Sequence, residues 1–462
     1  KTDVIPLVTI GLRGLQHRGQ EAWGVATSTM NPFKQNGLVT DNLDQSAQVL
    51  QQMKSSVAIG HVRYSTAGGT SLSNAQPFSI NKKFCIAHNG TICDLNSINT
   101  KITGQKPRRI NDTFIVGKRL LAILKTNNFD WFKSIELLCD ELVGAYCFVI
   151  LTPNNEIYAF RDTRGFRPLC IGWHEKSKTY LISSESCGFS MIGAELKRDI
   201  QPGEIVKISK KGLESYSFSR GERTAHCSFE YIYFARPDSI LNGQCAYEYR
   251  KNFGKELAKE ADIDADLIVP VPDSGNAAAI GYSQHVKRNF DLGLIRNHYV
   301  GRTFIEPVQK IRSLGVKLKL NANKSTIENK KIVLIDDSLV RGTTCHKIVK
   351  MLYDSGAKEV HVRIASPEIR FPDFYGIDTP TKKELLAANK NNDEICKYIN
   401  AKSLEFLSID GMYRAMGFEK RNSTYPQLTD HYFTGEYPVK PIDNLGEDKV
   451  TQLSLLSTAS NN

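Results

Sequence analysis

The chain has 462 residues, of which 41% are hydrophobic and 24% charged, and its formal net charge is +11. This length predicts two to four domains, and this composition is typical of a folded globular protein and excludes overall disorder. The longest apolar run, at 142–151, is too short to span a bilayer, and no charged leader with an apolar core opens the sequence, so neither a membrane nor a secreted protein is indicated. The excess of cations suits either nucleic acid or a small, heavily phosphorylated substrate, but no block of five like charges indicates a basic tail.

The ten cysteines are scattered along the sequence without C-x-x-C spacing. This pattern predicts reduced thiols in a cytoplasmic protein rather than a disulfide framework or a zinc site.

The first half of the chain is typical of antiparallel sheets with helices packed on them. Short β-type runs alternate with turn residues, and a run at helical spacing (TFIVGKRLLAIL) follows the capping pair Asn111–Asp112. The predicted strands are Val57–His61, Phe84–His88, Tyr146–Leu151, Tyr180–Ser183 and Ile205–Ile208.

The pattern changes near residues 225–235. From there, near-continuous apolar runs alternate with helical patterns, as expected for a parallel sheet that is buried on both faces. The runs are Leu267–Val271, Leu292–Ile295, Ile332–Ile335 and Val360–Ile364. We therefore divide the chain into domains at 1–228 and 229–425, followed by a segment at 426–462 that is either a covering segment or a partly disordered tail.

Two adjacent acids, Asp336 and Asp337, follow the apolar run Ile332–Ile335. Ligands of open α/β sheets bind beyond the carboxyl ends of the strands. Gly342 allows close approach of the backbone, and Thr343 and Thr344 open a helix whose N-terminus attracts phosphate, although the loop is not a Walker loop. Carboxylates beside a phosphate site suit ribose hydroxyls or hydrated Mg²⁺, so a 5-phosphoribosyl group fits the whole run. The alternative is that the acid pair only caps the helix.

Several motifs together resemble one family. VLIDDSLVRGTT (333–344) resembles the 5-phosphoribosyl-1-pyrophosphate (PRPP) motif of type I phosphoribosyltransferases. The motifs that are similar to those of glutamine PRPP amidotransferases are LQHRGQEAWG (15–24), GHVRYSTAGG (60–69), IAHNG (86–90), FEYIYFARPDS (229–239), VPVPDSGNAAAIGY (269–282), NHYVGRTFIEP (297–307) and PEIRFPDFYGID (367–378). Any one of these motifs alone is weak, whereas their joint occurrence over nearly the whole chain is specific.

The resemblance implies a fold and a reaction. The fold is an α+β N-terminal-nucleophile (Ntn) glutaminase domain of antiparallel sheets and helices, followed by an α/β type I phosphoribosyltransferase domain with a parallel sheet. The reaction is the amination of PRPP to 5-phosphoribosylamine with release of pyrophosphate and glutamate, which is the first committed step of purine biosynthesis.

The resemblance also assigns roles around PRPP. Arg302 and Lys319 would neutralise charge on the leaving pyrophosphate, and the segment with Tyr299 and Arg302 would close over the substrate as a lid. For Lys319 the alternative is an outward-facing lysine in the alternating KLKL. The implied magnesium ligands are Ser274, Asp336 and Asp337. The implied substrate-binding residues are Asp273, Ser274, Gly275, Tyr299, Ser338, Arg341, Gly342, Thr343 and Thr344.

In the glutaminase half, Asn89 and Gly90 match the oxyanion hole. Arg63 matches the partner of the substrate carboxylate, and Asp112 matches the partner of the substrate α-ammonium. Alone, Asn89–Gly90 would indicate a hairpin turn and Asp112 a helix cap.

The nucleophile of the family is a cysteine at the start of the mature chain, whose own amino group is the base. Family members begin with Cys-Gly and a short strand, whereas this sequence opens at Lys1. We therefore expect a missing stretch of about ten residues ahead of Lys1, since one strand and a turn have that length. The alternative is a protein without glutaminase chemistry.

Many relatives hold an iron–sulfur cluster with four cysteines. Only Cys227 matches one of those positions, since the segment before YGID and the segment near the C-terminus carry none. We therefore predict no cluster.

The implied partners are PRPP, glutamine and inhibitory purine nucleotides, in a homodimer or homotetramer, with neither nucleic acid nor membrane. Two alternatives stay open: a PRPP-sensing regulator without glutaminase activity, and a salvage phosphoribosyltransferase, which leaves residues 1–228 unexplained.

Overall fold

The structure is a computed structural model that describes residues 3–40, 43–64, 71–104, 111–218, 221–298 and 319–444. The helices are α1 Ile5–Gly14, α2 Leu43–Gln52, α3 Leu95–Thr103, α4 Asp112–Thr126, α5 Trp131–Cys139, α6 Cys187–Ser190, α7 Ala246–Glu260, α8 Asn276–Val286, α9 Lys324–Ile327, α10 Thr343–Asp354, α11 Leu386–Asn389, α12 Asn392–Ile399, α13 Ile409–Ala415 and α14 His431–Thr434.

The strands of the first half are β1 Ala22–Thr27, β2 Phe33–Asn36, β3 Ala58–Arg63, β4 Phe78–Ile80, β5 Phe84–Ile92, β6 Gly144–Leu151, β7 Ile157–Arg161, β8 Cys170–His174, β9 Thr179–Ser183, β10 Glu195–Asp199, β11 Glu204–Ser209 and β12 Gly212–Ser217. The later strands are β13 His226–Cys227, β14 Ile240–Leu241, β15 Gln244–Cys245, β16 Leu267–Pro270, β17 Leu294–Arg296, β18 Leu320–Ala322, β19 Lys331–Asp336, β20 Glu359–Ile364, β21 Ser403–Phe406 and β22 Leu428–Thr429.

The first half contains antiparallel sheets, as the sequence predicts. The largest has the order β12-β11-β7-β6-β5-β4, and the two three-stranded sheets have the orders β2-β1-β3 and β10-β8-β9. All five predicted strands of this half are confirmed, within a residue or two at most ends. A small buried cluster with Ala26, Ile59, Cys85 and Leu151 joins the sheet of β1 and β3 to the sheet of β5 and β6.

The predicted helix after Asn111 is also confirmed. The Asn111 side chain accepts a hydrogen bond from the Thr113 backbone N–H, which is the cap that starts α4. The apolar face of α4 packs on β4 and β5, with Ile115, Val116 and Leu120 fully or almost fully buried. This packing fixes the N-terminus of α4 near the end of β5.

The second half contains a parallel sheet in the order β16-β19-β20-β21, with helices on both faces. Ile268, Val333 and Ile335 pack on one face with residues of α7 and α8. The residues that alternate with these three along β16 and β19 point to the opposite face of the sheet, where they pack with α10 and α12. Burial on both faces explains why these strands read as continuous apolar runs.

One predicted member of the parallel sheet is wrong. The run Leu292–Ile295 contributes to β17, which pairs antiparallel with β18 in a separate two-stranded sheet. Among the described residues of this region, an isolated bridge between Phe290 and Ile268 is what continues the parallel pattern. Leu292 and Ile295 are 43% and 45% exposed, so this run does not lie between two helical layers.

The described part of the C-terminal segment packs against both halves. β22 pairs parallel with β13, and Tyr432 is fully buried against Phe229. The Asp443 carboxylate accepts hydrogen bonds from the Leu95 backbone N–H and the Asn96 side chain in the first half. This arrangement agrees with a covering segment up to residue 444, whereas the domain limits at 228 and 425 stay predictions.

Candidate active sites

The two acids of the second half lie at the carboxyl end of β19. Asp336 is the last residue of the strand, and its Oδ1 accepts a hydrogen bond from the Asp337 backbone N–H at 2.9 Å. The Ser274 hydroxyl donates to the same oxygen at 3.4 Å. The Ser338 hydroxyl donates to the Asp337 carboxylate. The structure therefore brings together Ser274, Asp336, Asp337 and Ser338, which the family resemblance assigns to the PRPP site.

These two carboxyls are electrostatically unfavourable neighbours. Burial raises the pKa of Asp336 well above its ordinary value, and the adjacent Asp337 charge raises it further. Burial also raises the pKa of Asp337, although hydrogen bonds from Ser274 and Ser338 and the Arg250 charge act in the opposite direction. Two neighbouring carboxyls and the Ser274 hydroxyl are oxygen donors of the kind that a hard cation takes, so the donor set fits Mg²⁺.

The loop after the acids has the geometry of an anion cradle. Gly342 has a φ of +71° immediately before α10, and only glycine adopts this conformation at little energetic cost. Thr343 and Thr344 are exposed in the first turn of the helix, where N–H groups face outward. Arg341 is also exposed, but its guanidinium donates to the Glu384 carboxylate at 3.0 Å instead of lying over the cradle.

The loop before α8 faces the acids. The helix opens after Gly275, as the NAAAIGY pattern predicts. A Cβ built on Gly275 would lie 3.0 Å from the Val271 carbonyl oxygen and even closer to that of Ile335, so the loop is pressed against the end of β19. Asp273 is exposed and forms an ion pair with Arg296 of β17.

The proposed lid segment with Tyr299 and Arg302 lies outside the described residues. The two ends that flank this segment meet, since the Asn297 backbone N–H donates to the Lys319 carbonyl oxygen at 2.8 Å. Lys319 is half-buried, which weakens the alternative of a fully outward-facing lysine.

In the first half, Asn89 and Gly90 lie inside β5, opposite Cys147 and Tyr146 of β6. The hairpin-turn alternative is therefore wrong. Gly90 has a φ of +138°, and a Cβ on it would collide with the Ala145 carbonyl. The Asn89 amide nitrogen Nδ2 is buried without a hydrogen-bond partner among the described residues. A buried donor of this kind is suited to an anionic oxygen of a ligand.

Arg63 and Asp112 lie at the ends of neighbouring elements. Arg63 ends β3, is 4% exposed, and has a guanidinium nitrogen 4.0 Å from Glu21. Burial lowers its pKa, and the charges of Glu21 and Asp112 partly offset this effect. Asp112 is the first residue of α4, and its carboxylate lies 3.5 Å from His88 Nδ1.

The carboxyl of Asp112 is held in its charged form. Burial raises its pKa, but His88 and the backbone N–H groups of Thr113 and Ile92 outweigh burial, so the pKa lies below its ordinary value. Asn111 is the N-cap of α4, so Asp112 is not needed for that role. This leaves a buried cation and a carboxylate near the oxyanion strand, as binding of an amino acid requires.

The sequence did not reveal a buried charge network between the two halves. Arg18 donates to both oxygens of Glu230, at 2.8 and 3.1 Å, and also to Glu185. The Ser239 hydroxyl donates to Glu185 at 2.6 Å, and Arg167 lies 3.2 Å from Glu230. Arg18 and Glu230 belong to the LQHRGQ and FEYIYF motifs, so the motifs could have drawn attention to these two residues. The sequence around Glu185 contains no comparable motif.

Cys227 has the surroundings of a structural residue. Its thiol lies 3.3 Å from the Tyr432 hydroxyl and 3.8 Å from Arg167 Nη1. Burial raises the pKa of the thiol. A cluster needs several thiolates, so these neighbours do not fit one.

Comparison with known proteins identifies the family. A model of a glutamine amidotransferase domain matches residues 61–190, and a model of class-II glutamine amidotransferases matches residues 2–113. The amidophosphoribosyltransferase of Rhizobium etli is 44% identical over 99% of this chain and 93% of its own length, and that of Methanocaldococcus jannaschii is 41% identical over 95% and 96%.

The solved structures agree with these relatives. The glutamine PRPP amidotransferase from B. subtilis, in complex with ADP and GMP, is 39% identical and superposes with a TM-score of 0.85, covering 95% of this chain and 96% of that one. Identity at this level over nearly full length establishes both the antiparallel amidotransferase half and the parallel transferase half. The chain belongs to the amidophosphoribosyltransferase family.

Proposed function

We propose that this protein aminates PRPP to 5-phosphoribosylamine, with ammonia that it releases from glutamine. The observation that carries the proposal is the presence of both candidate sites in one chain. One site is the acid pair Asp336–Asp337 beside the phosphate cradle, and the other is the oxyanion strand with Asn89. Neither the sensing regulator nor the salvage enzyme needs both sites.

In the transferase site, the Gly342–Thr344 cradle binds the 5-phosphate of PRPP, and the loop at Gly275 supports the pyrophosphate with backbone N–H groups. Ser274, Asp336 and Asp337 would hold Mg²⁺, which when bound offsets the charge of the pyrophosphate. Binding of this cation would explain why two carboxyls that repel each other lie side by side here.

In the glutamine site, Arg63 binds the substrate carboxylate and Asp112 the α-ammonium. The amide of Asn89 and the backbone N–H of Gly90 donate to the oxyanion that forms when a thiolate attacks the glutamine amide. These are the roles that the resemblance implies, and burial of Arg63 and of Asn89 Nδ2 supports them.

The test is an assay of pyrophosphate release from PRPP by the full-length protein, including the residues expected ahead of Lys1, with Mg²⁺ and either glutamine or a high concentration of ammonium at pH above 8. The expected result is 5-phosphoribosylamine with both nitrogen donors and glutamate with the first. Binding of PRPP without turnover under either condition would favour the regulator instead.

Nucleotides that carry a 5′-phosphate should compete with PRPP for the cradle. The B. subtilis relative was solved with ADP and GMP, which supports this expectation.

We also propose a dimer or tetramer, as the resemblance implies. Light scattering on the purified protein would measure this oligomeric state.

We place the protein in the cytoplasm, because all ten cysteines are free. Among the described residues, no helix has the length and apolar character needed to cross a membrane.

A further inference from the structure

A turn of the transferase half touches the oxyanion strand of the glutaminase half. A Cβ built on Gly376 would lie 2.9 Å from the Cα of Gly90 and 3.0 Å from its carbonyl carbon. Gly376 has a φ of +108° and Gly90 a φ of +138°, and both values favour glycine. The two backbones therefore meet where neither residue has room for a side chain.

Further contacts hold the same turn against the first half. The Cys93 thiol donates to the Phe374 carbonyl oxygen at 3.5 Å. The rings of Phe166 and Tyr375 are stacked with centroids 4.8 Å apart, and both residues are about 2% exposed. The turn is thus held against the first half at Cys93 and Phe166 as well as at the glycine.

The buried carboxylate of Asp373 holds the turn in shape. Its Oδ2 accepts hydrogen bonds from the backbone N–H groups of Tyr375 at 3.0 Å and Ile377 at 2.6 Å. Its own N–H donates to the Thr379 hydroxyl at 2.6 Å, and His431 Nε2 lies 2.9 Å from Oδ1. Asp373 belongs to the segment FPDFYGID, in which the family resemblance places a cluster cysteine.

We propose that the Asp373–Ile377 turn positions the oxyanion peptide: Gly376 sets where Gly90 lies, and Asp373 keeps the turn closed. The inference rests on the proposed oxyanion role of Gly90. It means that the transferase half supplies a structural support that glutamine hydrolysis needs. Since Arg63 and Asp112 bind the α-carboxylate and α-ammonium of glutamine and not its reacting side-chain amide, a displaced Gly90 should affect turnover and not substrate binding.

The first test compares Gly376→Ala with Gly417→Ala in the full-length protein. Gly417 also has a positive φ, +90°, but a Cβ there would meet nothing within 4 Å, so it controls for backbone strain alone. Gly376→Ala should lower kcat for glutamine hydrolysis by about tenfold or more, at an unchanged KM for glutamine. Its ammonia-dependent synthesis should stay at the wild-type rate, and Gly417→Ala should retain both activities.

The second test compares Asp373→Asn with Asp373→Ala. The asparagine carbonyl oxygen can still accept both backbone hydrogen bonds, so this variant should keep wild-type kcat for glutamine, whereas the alanine variant should resemble Gly376→Ala.

The inference is overturned if Gly376→Ala hydrolyses glutamine at the wild-type rate. It is equally overturned if Gly376→Ala loses its glutamine-dependent and ammonia-dependent activities in parallel, because the turn would then be a general structural element. A wild-type protein that hydrolyses no glutamine would contradict the proposed function itself and not this contact.

Discussion

In the first half, the charged groups of the candidate glutamine site already have protein partners, whereas in the second half the two acids at the end of β19 face each other. Arg63 lies 4.0 Å from Glu21, and Asp112 lies against His88. Burial raises the pKa of both Asp336 and Asp337, and the Arg250 charge partly offsets this effect at Asp337.

This difference indicates that the side chains of the two candidate sites are arranged for their ligands in different ways. The candidate glutamine site is arranged without a ligand, since the Arg63 cation, the Asp112 carboxylate and the amide of Asn89 are positioned by β3, α4 and β5. The candidate transferase site places two buried carboxyls side by side, and their raised pKa values mean that the charged form of the pair is unfavourable without a cation. Variants that lower glutamine-dependent synthesis and leave ammonia-dependent synthesis unchanged would support this distinction between the sites. Variants at the candidate glutamine site that lower both activities equally would contradict it.

The largest effect is expected for Asn89→Ala. Removal of one preorganised oxyanion donor lowers kcat by about 10²–10³-fold in enzymes that form tetrahedral intermediates. Glutamine-dependent synthesis by this variant should fall by that factor, while ammonia-dependent synthesis should stay at the wild-type rate. Steady-state kinetics with the two nitrogen donors measure both values. Equal losses with glutamine and ammonia would show that the two sites are not separable.

A smaller but more general loss is expected for Asp336→Asn. Removal of one charged contact to the metal–substrate complex should weaken transition-state binding by about 2–3 kcal/mol, or roughly 30–150-fold in kcat/KM for PRPP. The loss should be the same with glutamine and with ammonia.

The matched control is Asp354→Asn, at the far end of α10, where the carboxylate pairs with the exposed Lys350. This variant should retain wild-type kinetics. A wild-type kcat/KM in Asp336→Asn would remove the acid pair from the PRPP site.

The sequence predicted the parts of these sites that follow from strand periodicity and local motifs. The acids at the carboxyl end of β19, the N-cap of α4 and the glycine before α10 are examples, because each local requirement is met by few residue types. The wrong assignment of Leu292–Ile295 arose because no local requirement distinguishes the possible positions of this run. An apolar run of that length does not reveal whether it lies inside a sheet or at its exposed margin.

Contacts between distant segments could not be read from the sequence. Gly90 and Gly376 each look like an ordinary turn glycine, and only the three-dimensional packing brings them together. The same holds for Arg18, Glu185 and Glu230, whose burial depends on how the two halves meet. Periodicity reports the environment of one element, not the identity of its partner.

A pH experiment tests whether the first half is arranged only near neutral pH. Burial lowers the pKa of His61 to about 4, below its ordinary value. The folded state therefore binds fewer protons than the unfolded state between these values, so stability is full above the ordinary pKa and is lost as the pH falls towards 4. The linkage relation gives a loss of roughly 2 kcal/mol by pH 5.

His61→Gln should remove this loss, because glutamine can still donate to the His88 carbonyl oxygen but does not titrate in this range. Thermal midpoints at pH 7 and pH 5 measure the difference, with His285→Gln as a control at an exposed histidine. An unchanged pH dependence in His61→Gln would mean that His61 binds a proton as readily in the folded protein as in the unfolded chain.

The smallest effect is expected for Arg63→Lys, and it tests how strictly the glutamine site is arranged. The arginine fork can bind a carboxylate through two parallel hydrogen bonds, which the single ammonium of lysine cannot reproduce. KM for glutamine should rise by about tenfold, with kcat within a factor of about two, because the lost contact is made equally in ground and transition states. Arg119→Lys is a matched control, since Arg119 lies about two helical turns beyond Asp112 in α4 and pairs with the Glu141 carboxylate through two nitrogens, at 2.8 and 2.6 Å. Its KM for glutamine should not change.

An unchanged KM in Arg63→Lys would place the substrate carboxylate elsewhere. A fall in kcat alone would show that Arg63 acts on the oxyanion instead of on the bound amino acid.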